Sequence, residues 1–230
     1  MFLFKSIILL LLMLQNAPTR VKLDAEIAQV YRQQKIVMQG SIYFNPENNF
    51  LLTHYKTPIE YYFKYEQDGG TMYYPTRNQA AKAKSDVINT ESSLIYYFLT
   101  NNTSDMGLKA AGFEMVETKV ENNQTITNWK PVGKINSKQK VAGAKLVHEN
   151  FLPIYIEFTD DKGKPLKKTY YYEYQMLDWF AMPQKVTEIM YLSAKDSVVS
   201  RHVFSNIETG NNIYEEFFNF KIPDKVKWVQ

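Results

Sequence analysis

Short segments dense in tyrosine and phenylalanine, cut at close intervals by Asn, Asp, Gly and Pro, constrain this chain more than any other feature. Phe50 to Lys56, Ile59 to Tyr65 and Thr71 to Pro75 are such segments, separated by Thr57-Pro58 and by Gln67-Asp68-Gly69-Gly70. Aromatic side chains favour a pleated, half-buried surface, and an Asp-Gly-Gly turn between them is a hairpin signal. Lys167 to Met176 repeats the pattern. Aromatic residues make up 15% of the 230, with 17 tyrosines among them. An antiparallel sheet with one wet face follows. Its apolar face either packs as ordinary core or lines a cavity for something greasy, and composition does not separate the two.

Reading along the chain, Leu23, Ile27, Val30 and Tyr31 lie at spacings that place one apolar stripe on a helix. Ser41 to Phe44 is expected as a strand, ended by Asn45-Pro46-Glu47-Asn48-Asn49, and the aromatic segments above continue it as a meander. Thr90 or Ser92 is expected to cap a helix carrying Leu94, Ile95, Phe98 and Leu99. Gly107 to Ala111 reads as a further short helix. Strands are expected over Phe113–Val120, Thr125–Trp129, Ala144–Glu149, Ile154–Thr159, Lys167–Met176, Lys185–Leu192, Ser197–Ile207 and Asn212–Phe220. The fold class is mainly antiparallel β with covering helices. About ten or eleven strands form a large, strongly curved sheet that the helices cover or plug, because such a sheet must bury its apolar face.

Lys5 precedes an apolar run from Ile7 to Leu14, the shape of a secretory signal peptide and too short to span a ~30 Å hydrocarbon core. Residues 1–17 are therefore expected as a signal peptide and 18–230 as one exported domain. The chain has no cysteine, so disulfide frameworks, thiolate zinc sites and thiol nucleophiles are excluded. The net charge of +3 is too mild to point to nucleic acid.

Catalytic signatures are missing. His54, His148 and His202 each stand alone in an expected strand. No nucleophile elbow, dinucleotide fingerprint or phosphate loop occurs. Glu157, Asp160, Asp161 and Glu173 could cluster across one hairpin, but two of them sit at its tip. Lys162, Lys164, Lys167 and Lys168 beside Tyr170, Tyr171 and Tyr172 form a basic aromatic segment, read as a solvated hairpin end or a contact for anionic headgroups. The expectation is a protein that is not an enzyme, with no cofactor and no metal.

The stretch from Gly40 through Phe44 to Pro46, then Phe50, Thr57-Pro58, and Asp68-Gly69-Gly70 followed by Tyr73-Tyr74-Pro75 resembles the LolA-like outer-membrane lipoprotein carriers, of the LolA/LolB-like fold. Leu152-Pro153 ahead of an alternating strand, the Asp161-Lys162-Gly163 turn, and Phe218, Phe220 and Pro223 near the C-terminus are similar too. The resemblance implies a half-barrel, greasy inside and lidded by helices, that ferries acylated lipoproteins or lipid between inner- and outer-membrane transfer proteins as a monomer. Each methylene taken out of water is worth ~0.8 kcal/mol, so an acyl chain in transit needs such a shelter. Strand parity then nominates Ile42, Phe44, Leu52, Phe63, Met72, Ile156, Phe158, Tyr171 and Phe204 as cavity lining, under Leu23, Ile27, Tyr31, Leu94 and Phe98 of the lid helices. Members hold an arginine before the first proline. Here that position is Asn45, which carries no charge, and Lys56 and Lys64 lie in neighbouring strands. The outer-membrane acceptor relative is anchored through a cysteine that this chain lacks, so the soluble carrier is the nearer match. The competing reading is an envelope scaffold of the same fold with a filled core, binding a protein partner through an exposed sheet edge or surface patch.

Overall fold

Val21, Leu23, Ala25 and Ile27 are 0, 0, 4 and 3% exposed, while Lys22, Asp24 and Glu26 between them point the other way. That period of two belongs to a strand. The segment expected as the first lid helix is therefore β1 (Val21–Tyr31), held between two partners along its whole length. Pairing on both flanks outweighs the local helical spacing of Leu23, Ile27 and Tyr31.

The computed structural model describes residues 19–66, 69–84, 91–133, 141–213 and 215–229. The expected signal segment over 1–17 lies outside the described residues, as do Gln67, Asp68 and Thr90. After β1 come β2 (Gln34–Asn45), β3 (Phe50–Thr57), β4 (Tyr61–Glu66), β5 (Gly69–Tyr74) and β6 (Gln79–Lys84). Helix α1 (Glu91–Leu99) follows. A second meander contains β7 (Phe113–Glu121), β8 (Gln124–Pro131), β9 (Gly143–Glu149), β10 (Leu152–Thr159), β11 (Pro165–Met176), β12 (Ala181–Ser193) and β13 (Asp196–Thr209). The chain ends with the short helix α2 (Glu215–Phe218) and β14 (Lys227–Val229).

All fourteen strands form one sheet in the order β14-β6-β5-β4-β3-β2-β1-β13-β12-β11-β10-β9-β8-β7. Every pairing is antiparallel except β14 with β6. The two rim strands, β14 and β7, do not pair with each other, so the sheet is an open, incomplete barrel, as expected. The count exceeds ten or eleven because β1, β6 and β14 are strands. Conversely, Asn212 is turn and Glu215–Phe218 is α2 rather than strand, with Tyr214 outside the described residues, and Gly107–Ala111 is turn rather than helix. The seam between the meanders is β1 with β13, where Val21 pairs with Thr209 and Val30 with Val199.

α1 lies in the connection that carries the chain from one rim to the other. Its Leu94, Ile95, Phe98 and Leu99 are all buried, the 1-2-5-6 spacing of a helix pressed onto a sheet. Phe98 meets Tyr171 edge to face at 5.2 Å, a favoured aromatic geometry. Val21, Leu23, Ile42, Phe44, Leu51, Leu146, Ile156, Phe158, Tyr171, Met182, Val186 and Phe204 complete this cluster on the helix face. A smaller cluster on the opposite face holds Tyr43, Leu52, Ile213 and Phe218. The C-terminal segment packs its rings there in a ladder. Phe217 stacks on Tyr43 at 4.6 Å, His54 on Tyr62 at 4.2 Å and Tyr62 on Phe220 at 4.3 Å.

Candidate functional site: a groove at the rim of the helix face

The turns β2–β3, β9–β10 and β11–β12 gather at one end of the sheet, beside the C-terminal end of α1. Between them opens a groove of about 980 Å³. That is near the top of the ~300 to 1,000 Å³ usual for ligand clefts. Phe44, Leu99, Leu152, Leu177, Trp179 and Phe180 supply apolar wall, and Asn49, Asn101, Thr103 and Asp178 supply polar wall. Phe151 and Met176 also line it, and they are 95% and 71% exposed.

Phe151 is costly where it stands. Glu149 pairs with Leu152, so Asn150 and Phe151 form a two-residue hairpin loop with φ of 50° and 65°. Such loops call for Asn-Gly, because a side chain at positive φ crowds its own backbone. A bulky residue there is an outlier. The loop holds a phenylalanine ring in the open against two preferences at once, backbone and solvation. Trp179 packs against Phe180 at 4.4 Å, and its buried indole N–H has no hydrogen-bond partner among the described residues. Unsatisfied buried donors are rare in folded proteins.

The sequence-derived lining divides into three groups. Ile42, Phe44, Ile156, Phe158, Tyr171 and Phe204 do come together, with Leu23, Leu94 and Phe98, in the cluster beneath α1. There they are packed against the helix. The space expected to be hollow under the lid is filled by Leu94, Ile95, Phe98 and Leu99, and the opening lies at the helix end, with Phe44 contributing to both. Leu52 is corrected to the opposite face: it pairs with Tyr43 and packs with Ile213 and Phe218. Leu51, one residue earlier, takes the inward place, paired with Phe44. Phe63 and Met72 are direct cross-strand partners on the helix face, half-buried and outside the α1 cluster. Leu23, Ile27 and Tyr31 are corrected from helix to strand; the Tyr31 hydroxyl donates to Asp196 at 3.3 Å at the far end of β1.

Asn45, at the family's arginine position, shares the parity of Tyr43 rather than Phe44. Its Oδ1 accepts the Glu47 N–H at 3.1 Å, closing the β2–β3 turn. Phe151, Met176, Trp179 and Phe180 were not anticipated. The available signal was Phe151 itself, an aromatic residue next to Asn150 between two strands.

A second polar feature lies farther along the helix face. Lys167, on β11, contacts Glu188, on β12, in an ion pair. His202 Nε2, on β13, lies 3.3 Å from the other Glu188 oxygen, and the Thr169 hydroxyl donates to Glu188 at 3.4 Å. Burial pushes the Glu188 carboxyl up, but contact with His202 and the Lys167 ammonium outweigh it and hold the group at about 2. So Lys167 is no solvated hairpin lysine, and His202 does not stand alone. Lys168 lies 3.4 Å from Glu157, which separates Glu157 from the carboxylates of the hairpin tip. Burial also drives the Tyr171 and Tyr174 hydroxyls far above the ordinary phenol range. Among the described residues, no group of three or more His, Asp or Glu side chains is placed to hold a metal ion. No helix among them is long and apolar enough to cross a membrane.

No protein-family model and no curated protein matches the chain. Solved structures do. A domain of an outer membrane lipoprotein-sorting protein from Vibrio parahaemolyticus is similar at 13% identity, with TM-score 0.61 over 93% of this chain and 95% of that one. A LolA superfamily protein from Nitrosomonas europaea is similar at 11% identity, with TM-score 0.56 over 90% and 93%. A DUF1329 family protein from Desulfovibrio piger is similar at 10% identity, with TM-score 0.60 over 88% and 90%. The chain has the LolA/LolB-like fold, an open sheet bearing a partly open cavity.

Proposed function

We propose that this protein binds acyl chains in the rim groove and carries them, as lipid or as the anchor of a lipoprotein, through the periplasm. The observation that carries the reading is Phe151, held at positive φ and 95% exposed over a groove of about 980 Å³. An exposed ring in a strained turn has no packing role, and an acyl chain laid against it would give it one. Each methylene buried there contributes ~0.8 kcal/mol. The packed cluster under α1 is the groove's rigid floor, with Phe44 and Leu99 as its edge. The Vibrio protein of the same fold is described as lipoprotein-sorting, which supports the cargo class. In this reading residues 1–17 act as the export signal, residues 18–230 work as one domain, and the carrier is monomeric and has no catalytic role. Asn45, turned into its own turn, supplies no charge to cargo release.

The test is native mass spectrometry of protein purified from the envelope, before and after detergent, with titration by brominated palmitate read through tryptophan fluorescence. Bound lipid that detergent removes, and quenching that saturates, are expected. A protein that carries no lipid and shows no quenching overturns the reading.

A further inference from the structure

We propose that the free edge of β7 docks an extended, basic stretch of the polypeptide whose acyl chain occupies the groove, adding it to the sheet as a further strand. The proposal takes its cargo from the acyl-binding reading above, and its docking surface from separate observations. β7 is the last strand on its side, so among the described residues no strand pairs with its outer flank. A bare edge presents a row of backbone N–H and C=O groups, the template for strand addition. The opposite rim is only the three-residue β14. β7 is nine residues long, has no proline, and exposes eight of them. Its defences against pairing are one bulge near Val116 and four charged side chains, Glu114, Glu117, Lys119 and Glu121. Met115, Val116 and Val120 are 52, 49 and 74% exposed, apolar surface that an added strand would cover.

Charge selects the occupant. Glu114, Glu117 and Glu121 stand against Lys119 on a strand belonging to a chain of net charge +3. Glu117 already holds Lys119 at 3.0 Å and Glu114 is paired with Lys130 on β8, so Glu121, at the end nearest the groove, is the carboxylate placed to meet an incoming cation. Opposite charges across a strand pair stabilise it, and like charges oppose it. Position selects the cargo. Glu121 leads into the Asn122-Asn123 turn, and Asn123 Nδ2 donates to Asn150 Oδ1 at 3.4 Å. Asn150 precedes Phe151 at the groove mouth. A polypeptide whose acyl chain enters the groove therefore leaves it beside the acidic edge.

The experiment uses the whole chain and three probes: a short N-palmitoylated peptide of lysine, valine and threonine, the same peptide without the acyl group, and palmitate. The acylated peptide should bind about tenfold more tightly than palmitate. The triple variant Glu114→Lys, Glu117→Lys, Glu121→Lys should lose that gain and keep its palmitate affinity. Amide hydrogen exchange in β7 should slow when the acylated peptide binds. A triple variant that keeps the gain, or protection that omits β7, overturns the proposal. So does protection of β7 that rises with protein concentration alone, which would give the edge to a second copy of this chain. Failure of palmitate itself to bind sinks the groove reading instead. The unacylated peptide then still decides the edge, by protecting β7 in the parent chain and not in the triple variant, or by failing to.

Discussion

Lys167 and Glu188 face one another across β11 and β12 as a buried ion pair, 7% and 8% exposed. Removing one partner of such a pair strands the other charge away from water, which costs about 3 to 5 kcal/mol. Lys167→Met should lower the urea unfolding free energy by that amount. The pair also fixes an acid sensitivity. The Glu188 carboxyl, at about 2 in the folded chain, sits below its ordinary unfolded value near ~4.3. Its stabilising contribution is therefore full above the unfolded value and is lost as pH falls toward 2, up to about 3 kcal/mol in all. Unfolding free energies measured from pH 5 down to pH 2 should fall more steeply in the parent chain than in Glu188→Gln.

Phe151 offers a cleaner separation of binding from folding. Phe151→Gly relieves a side chain at φ of 65° and should stabilise the fold by about 1 kcal/mol. The same change should weaken palmitate binding about tenfold. Thermal melts and fluorescence titrations on one preparation would show the two effects moving in opposite directions, the mark of a residue kept for function at the expense of stability. A melt that falls would remove the strain argument.

Phe158 behaves otherwise. It is buried in the cluster beneath α1, so Phe158→Asp should leave the chain largely unfolded by circular dichroism rather than folded and empty. Phe98→Ala, at the centre of the helix–sheet contact, should cost about 3 to 5 kcal/mol in urea.

Gly40 tests the β2–β3 crossing. A Cβ there would sit 2.3 Å from the backbone carbonyl oxygen of His54 and 2.9 Å from the Tyr55 Cα. The obstacle is main chain and cannot swing aside. Gly40→Ala should cost about 1 to 3 kcal/mol, seen as a lower urea midpoint with unchanged slope.

The hairpins were legible in the sequence because their turn residues are local. Asn122-Asn123 and Asp161-Lys162-Gly163 each sit between strands as their chemistry requires. β1 was not legible in the same way. Its spacing fits a helix through Leu23, Ile27 and Tyr31 and a strand through Val21, Leu23, Ala25 and Ile27, and its pairing with both β2 and the distant β13 decides. The parity error at Leu52 has a similar origin. The register of β3 at Leu52 is set by its pairing with β2 across the Asn45–Phe50 turn, which matches Leu51 with Phe44 and Leu52 with Tyr43, and two adjacent leucines do not show which of them points inward. The groove was hardest to see, because its walls come from turns that are far apart in the chain and meet only once the strands have aligned.

The seam of the molecule has a consequence for how it is made. Thr209 is translated long after its neighbour Val21, so β1 must wait with one flank bare until nearly the whole chain has left the ribosome. The two meanders can each zip up from local turns, but neither half can complete its core alone. Mutations in β13 should therefore be felt first as failed maturation and aggregation of new chains, before any loss in the finished protein.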